Sequence, residues 1–569
     1  MRLGDVRPVP VADKLRTVTD SLPPNAAPET SGGWNFADMW EAHAARFPEA
    51  TAQIHGAHRT TWAEFDARAN GVAAALLAAG VAQQDKIAHY LYNCPQYLES
   101  MFAMFKAGLV PVNTNYRYTD NELVYLWTNA DAVGVVFHGA FVEHIDRIRG
   151  QLPHIRIWLW VDDGSGPCPE WASDYEEAAS TTAGRQIAPW GRSGDDLYLL
   201  YTGGTTGMPK GVMWRQDDIV MLLDAPSKRS LPAQASAEAL EDRVAKPGIV
   251  AIPAAPLMHG TGAFAALNTL MLAGSIVTLE GRRFDAAALL DCIDANRVTS
   301  MSIVGDAFAK PILRALDADP DRWDFSSMRV ILSSGVIWSS ETKQGLLRHN
   351  PRLMMIDSLG SSEAIGMAAS TTDSSSAVAA GSAARTAAFR LNANTRVIDE
   401  EGRDVVPGSG ERGLVALKGR TPIGYYKDEE KSAKTFVTIG GERFSIPGDF
   451  AEVEADGTLK LLGRGSQCIN TGGEKVYPEE VEEALKGFPG VLDAVVVGVP
   501  DERFGEAVIA LVEGPSAVSD AELIAHVRST LAAYKSPKRI IRIDSVDRAA
   551  NGKVDYKRLR EVALEALAR

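Results

Sequence analysis

Leu197-Tyr198-Leu199-Leu200-Tyr201-Thr202-Gly203-Gly204-Thr205-Thr206-Gly207-Met208-Pro209-Lys210-Gly211 decides how this chain is to be understood. The apolar, aromatic run 197–200 predicts a strand, and the glycines that follow end it. Four glycines (203, 204, 207 and 211) let the backbone turn its N–H groups toward one point, while Thr202, Thr205 and Thr206 add hydroxyls and Lys210 adds a cation. Together they make a polyphosphate cradle. It is not a P-loop, because the spacing Gly-x-x-x-x-Gly-Lys-Ser/Thr is absent.

Outward from this loop, helix and strand signals alternate. Thr61 with Glu64 forms a capping box that predicts a helix closing near Gly80; Lys86 to Tyr92 then reads as a strand, and a second helical run closes at Gly108. Thr119 with Glu122 repeats the signal before the strand-like Ala132 to Phe137. Such alternation predicts an α/β fold with mainly parallel sheets. Pro247 to Leu279 carries no Asp, Glu, Lys or Arg, yet Pro253, Pro256, Gly260, Gly262 and Gly274 interrupt it, so it reads as buried strand, loop, helix and strand rather than a membrane span. Ala225 to Ala245 is polar and aperiodic and reads as an exposed insertion. Gly463-Arg464-Gly465-Ser466 loosens the backbone and marks a boundary between a large domain, 1–464, and a smaller mobile α+β domain, 465–569. The latter is predicted to hold a Glu-rich helix opened by Pro478, β runs at 491–499 and 507–512, and a helix capped by Ser519 with Glu522.

With 73 acidic against 58 basic residues, the 569-residue chain has a formal net charge of -15, which argues against nucleic acid as a partner. A phosphate-bearing ligand must therefore be captured locally. Cys94, Cys168, Cys292 and Cys468 are scattered without metal or disulfide spacing and fit a reducing cytoplasm, and Met1 to Pro23 lacks the apolar core of a signal peptide.

The complete string Tyr201 to Gly211 resembles the phosphate loop of the adenylate-forming superfamily, which includes acyl-CoA synthetases, firefly-type luciferases and peptide-synthetase adenylation domains. The resemblance extends over nearly the whole chain. It implies that Thr202, Gly203, Gly204, Thr205, Thr206, Gly207 and Lys210 close over the β and γ phosphates of ATP. Leu359-Gly360-Ser361-Ser362-Glu363 resembles the family segment Tyr-Gly-x-Thr-Glu, whose glutamate holds Mg2+. A hard cation bridging phosphates needs one carboxylate and little else from the protein. The implied metal residues are Glu363 and Thr205, and both are implied to act in catalysis. The resemblance implies that Ser358 to Ser362 flank the nucleotide, with Leu359 in place of the family's adenine-stacking aromatic residue. Ser334 and Gly335 resemble the turn that lets backbone approach the adenine, Asp449 the ribose-binding aspartate, and Arg464 the arginine that reaches the same nucleotide.

Asn551-Gly552-Lys553 resembles the terminal motif carrying the catalytic lysine, and Gly472, Gly473 and Lys475 resemble the loop that lines the pantetheine tunnel. The resemblance implies two orientations of the small domain, exchanged about a hinge at Ser466, where the family usually has a charged residue. His259, in Pro256-Leu257-Met258-His259-Gly260, matches the residue flanking the reacting carboxylate, with Gly335 and Gly360 beside the acyl group. The small residues Gly262 to Ala266 and Gly305 to Ala307 fit a roomy apolar acyl site.

The implied activity is an ATP-dependent, Mg2+-assisted carboxylic acid:coenzyme A ligase working through an acyl-adenylate. The overall pattern is nearest to actinobacterial fatty-acyl-CoA synthetases acting on long-chain or sterol-side-chain acids. Transfer to a carrier protein and a non-catalytic nucleotide- or acyl-binding role are the alternatives. A homodimer and loose membrane association stay open. Gly408-Ser409-Gly410-Glu411-Arg412-Gly413 fits the dinucleotide pattern Gly-x-Gly-x-x-Gly but precedes a strand instead of following one, so a dinucleotide fold is rejected.

Overall fold

The computed structural model describes residues 33–202, 208–227, 230–335, 338–375, 389–464, 469–471, 474–501, 505–514, 518–531, 533–549 and 552–568. It is an α/β protein, and the described residues form three sheets. In the 15-stranded sheet, Thr51–His55, Ser275–Thr278, Val250–Pro253, Ser300–Ile303, Val330–Ser334 and Met354–Ser361 run parallel in that spatial order. From Ala364–Thr372 onward the neighbours are antiparallel. The parallel arrangement expected from the sequence thus holds for the first half of this sheet, and a hairpin at Ser361/Ala364 reverses it. In the 8-stranded sheet Val110–Asn113, Lys86–Tyr90, Ala132–His138 and Ile157–Val161 are parallel, and Leu197–Thr202 joins the edge of that set beside Val110–Asn113. A 5-stranded sheet contains only strands that begin at Ile469 or later.

Local chemistry explains the helices between the strands. Thr61 and Glu64 cap Trp62–Ala78 reciprocally, Thr119 and Glu122 do the same for Asp120–Asn129, and Pro95 opens Pro95–Lys106. The first and third of these pack their apolar faces into a core with Trp40, Trp62, Phe65, Phe102 and Phe105 at its centre. In the small lobe the helix Pro478–Lys486, the strands Asp493–Asp501 and Gly505–Glu513, and the Ser519-capped helix Asp520–Thr530 follow the sequence reading. Val250–Pro253, Gly260–Met271 and Ser275–Thr278 form the strand, helix and strand expected of the uncharged segment. Among the described residues no helix is long and apolar enough to cross a membrane.

The segment 225–245 is exposed along much of its described length, as its polarity suggests, but it is also anchored to the core. Leu231, Leu240 and Val244 are buried in the main core, and Ser236 caps a helix, Ala237–Arg243. Trp34 donates to the Pro232 carbonyl at 2.7 Å, and Arg46 donates to the carbonyls of Glu241 and Val244. Three apolar anchors among polar residues are too sparse to give a period, yet enough to dock a segment whose backbone is held by partners elsewhere in the chain.

Burial of ionisable groups makes the fold acid-sensitive. Burial holds His43 and His138 down to about 4 and His89 down to about 3. His259 also lies at about 3, through burial and then the positive charges of Lys553 and Arg117. Each depressed histidine binds a proton more readily when unfolded, so its contribution to stability is lost as pH falls below about 6.5. Asp196, pushed up to about 7 by burial, acts in the opposite direction across the same window. Burial raises Glu99, Asp218, Asp357 and Glu482 in the same sense as Asp196, so the histidines set a direction only, a lower stability at pH 5.5 than at pH 7.5. Denaturant melts at the two pH values check it, and equal midpoints would contradict it.

Candidate functional site

Leu197–Thr202 and Lys210–Arg215 form an antiparallel hairpin in which Thr202 faces Lys210 and Tyr201 faces Gly211. A Cβ at Gly211 would lie 2.7 Å from the Tyr201 ring, so the glycine is needed for this ring to pack. Tyr201 is further fixed by its hydroxyl, which donates to Asn129 at 2.6 Å. The strand pair therefore presents Thr202 and Lys210 as the two fixed ends of the loop. Gly203, Gly204, Thr205, Thr206 and Gly207 lie outside the described residues, as do Ser466, Gly472 and Gly473.

Lys210 Nζ pairs with Asp428 at 2.6 Å and lies 5.7 Å from the centroid of the Tyr425 ring. Asp428 in turn caps the helix Glu429–Thr435. Burial alone would raise the Asp428 carboxyl, but Lys210 and the Lys431 N–H hold it below the usual carboxylate range. Tyr425 is paired with Val212 across a short sheet edge and donates its hydroxyl to Glu363 Oε1 at 2.9 Å. Glu363 is buried in the turn after Met354–Ser361. Its backbone is held on both sides, the N–H donating to Ser361 Oγ at 3.2 Å and the carbonyl accepting from Ser445 at 2.7 Å. Trp214 donates to the Ser362 carbonyl at 2.8 Å, tying this turn to the strand Lys210–Arg215.

Ser334 and Ser358 are register partners at the carboxyl ends of neighbouring parallel strands. Crevices beyond such ends are where α/β sheets hold ligands. Gly335 follows with φ +93, and a Cβ there would meet only Val304 within 4 Å, so the backbone faces space. Gly360 falls at a register shift between Leu359 and Ser361, and a Cβ there would lie 3.1 Å from the Ala364 carbonyl. Leu359 packs against the cluster containing Met367, Val415 and Ala451. Gly262 differs from Gly335: a Cβ there would lie 2.4 Å from the Pro256 carbonyl, so its smallness serves helix packing rather than acyl space.

Asp449, buried, faces Arg464 directly across two antiparallel strands. Their separation of fifteen residues in the sequence is thus the length of one hairpin. In the small lobe Lys475 occupies the edge strand Glu474–Val476, whereas Lys553 follows a turn in which the Ala549 N–H donates to its carbonyl and Gly552 takes φ +72. Arg548 fastens that turn by donating to the Gly552 carbonyl at 3.1 Å while paired with Asp493 at 2.6 Å. The exposed Lys553 ammonium lies 3.5 Å from Thr202 Oγ1. His259 also feels this ammonium electrostatically. Burial, with the positive charges of Lys553 and Arg117 added to it, keeps His259 neutral at ordinary pH.

Sequence reasoning missed Tyr425, Asp428, Asn93 and Asn113. Asn113 left a signal, the first polar residue after the apolar run Val110-Pro111-Val112, at the carboxyl end of a strand.

Residues 40–426 match the family described as AMP-binding enzyme, and residues 480–553 match the AMP-binding enzyme C-terminal domain. A medium/long-chain-fatty-acid–CoA/3-oxocholest-4-en-26-oate–CoA ligase of Mycolicibacterium smegmatis is 38% identical over 548 residues, covering 93% of this chain and 97% of that protein. A 3-oxocholest-4-en-26-oate–CoA ligase of Rhodococcus rhodochrous is 37% identical, covering 92% of this chain and 95% of its own. Among solved structures, ATP-bound MatB from Rhodopseudomonas palustris superposes with a TM-score of 0.75 at 26% identity, over 94% of this chain and 100% of that one. With both its large and its C-terminal regions matched, and relatives 37–38% identical over nearly the whole chain, this chain belongs to the AMP-binding, adenylate-forming enzyme family.

Proposed function

We propose that this chain is an ATP-dependent carboxylic acid:CoA ligase acting on medium-to-long-chain or steroid side-chain acids in the cytoplasm. The observation that carries this reading is the placement of the Lys553 ammonium 3.5 Å from Thr202, at the mouth of the phosphate loop. Attack of a carboxylate on the α-phosphate brings two anions together, and an ammonium at that point stabilises the charge that develops. Thr202 to Gly207 and Lys210 bind the triphosphate, with Lys210 exchanging its Asp428 partner for phosphate oxygens. Asp449 and Arg464 take the ribose side, and Ser334, Gly335 and Ser358 to Ser362 take the adenine side. Neutral His259, with Gly335 and Gly360, positions the acid. The fatty and steroid acids named for the two ligase relatives support the substrate class.

Glu363 fits a divalent cation: its carboxylate is buried, anchored at one oxygen by Tyr425, and set beside the phosphate hairpin. Together with Thr205 it would hold Mg2+, which supplies charge neutralisation on the phosphates. The acyl-adenylate is a mixed anhydride with AMP as leaving group, and the thiol of CoA displaces AMP to give the thioester. For this second step the domain 465–569 turns about a hinge at Ser466, withdrawing Lys553 and bringing Gly472, Gly473 and Lys475 to the pantetheine. The confinement of the third sheet to residues from Ile469 onward supports that boundary. A screen of pyrophosphate release over short, medium, long and steroid acids, with CoA or a carrier protein as acceptor, tests the reading. AMP and acyl-CoA from long or steroid acids are expected; no AMP from any acid would overturn it.

A further inference from the structure

Asn113 closes the strand Val110–Asn113 and is buried. Its Nδ2 donates to the Tyr201 carbonyl at 2.8 Å and to the Met258 carbonyl at 2.7 Å, and the Tyr201 N–H donates to its Oδ1 at 2.6 Å. Both donors of the amide are therefore used. The side chain pairs with the Tyr201 backbone as another strand would, and simultaneously grips the residue before His259. These two partners belong to different parts of the fold: Tyr201 lies on the 8-stranded sheet, whereas Met258 follows the strand Val250–Pro253 of the 15-stranded sheet. Asn93 acts in parallel on the same connection, donating to the carbonyls of Pro253 and Ala255 and accepting from the Leu257 N–H at 2.7 Å.

We infer that Asn113 is a positioning residue for adenylation, fixing the separation between Thr202 at the phosphate loop and His259 at the acid. This rests on the proposed function. The reacting carboxylate oxygen and the α-phosphorus approach from opposite sides of that separation, and a misplacement of about 1 Å costs roughly 10²-fold in rate. Loss of the amide leaves Asn93 holding the connection but releases the Tyr201 and Met258 backbones from each other. Asn113→Gln keeps the donors and acceptor but displaces them by one methylene, so it tests placement rather than hydrogen bonding as such.

The experiment compares wild type, Asn113→Ala and Asn113→Gln in three assays: acid-dependent AMP formation, CoA thioester formation from supplied acyl-AMP, and ATP binding without acid. For both variants kcat of AMP formation is expected to fall by about 10²-fold, while the other two quantities stay within about threefold of wild type. Parallel loss in all three assays would mark Asn113 as a purely structural residue and overturn the inference. Full activity of Asn113→Gln would overturn it as well, even if the alanine variant fails to fold. Absence of AMP formation by the wild type would instead sink the proposed function.

Discussion

Lys553→Ala is expected to lower acyl-adenylate formation by about 10²–10³-fold, the cost typical of removing one donor aimed at developing oxyanion charge. The side chain is exposed and leaves the small lobe on a turn fastened by Arg548, Asp493 and Gly552, so its removal leaves the lobe's packing intact. Thioester formation from supplied acyl-AMP needs no new bond to phosphorus, and it is expected to be largely retained. The two half-reactions are read separately, by AMP release in the forward direction and by acyl-CoA formation from the synthetic adenylate. Equal loss in both would refute the role given to Lys553.

Glu363→Gln is expected to reduce ATP-dependent AMP formation by at least about 10²-fold, because the amide preserves shape while removing the charge that holds a cation. The turn should survive, since its backbone bonds to Ser361 and Ser445 do not involve the carboxylate. Mn2+ uptake in the presence of ATP, followed by its paramagnetic signal, should weaken in step with activity. Tyr425→Phe removes only the hydroxyl that orients Glu363 Oε1, and the expected loss is smaller, about 10-fold, the lower end for a group that orients a metal ligand. Undiminished Mn2+ uptake by Glu363→Gln would remove Glu363 from the metal site.

Much of the local structure was legible because its causes are local. The Thr61/Glu64, Thr119/Glu122 and Ser519/Glu522 boxes each spend their bonds within one helical turn, and the structure contains all three. The uncharged segment 247–279 also resolved correctly, since its prolines and glycines cut it into pieces too short to span a bilayer. The exposure of 225–245 was legible, but its docking through Leu231, Leu240 and Val244 was not, because the partners of this segment, such as Trp34 and Arg46, lie far away in the chain. The reversal of the large sheet at the Ser361/Ala364 hairpin was likewise invisible, because strand direction follows from connection geometry and not from periodicity.

By itself the sequence determined the residue types available: glycines and threonines between 202 and 211, a carboxylate at 363, an ammonium at 553, and glycines on both sides of Arg464. Only the tertiary structure decided how those groups are held. It set Asp449 opposite Arg464, brought Tyr425 to Glu363 across 62 residues, and joined two sheets through the amide of Asn113. The physical reason is that residue type fixes what a side chain can bond, whereas which partner it meets depends on strand register and packing among segments distant in the chain.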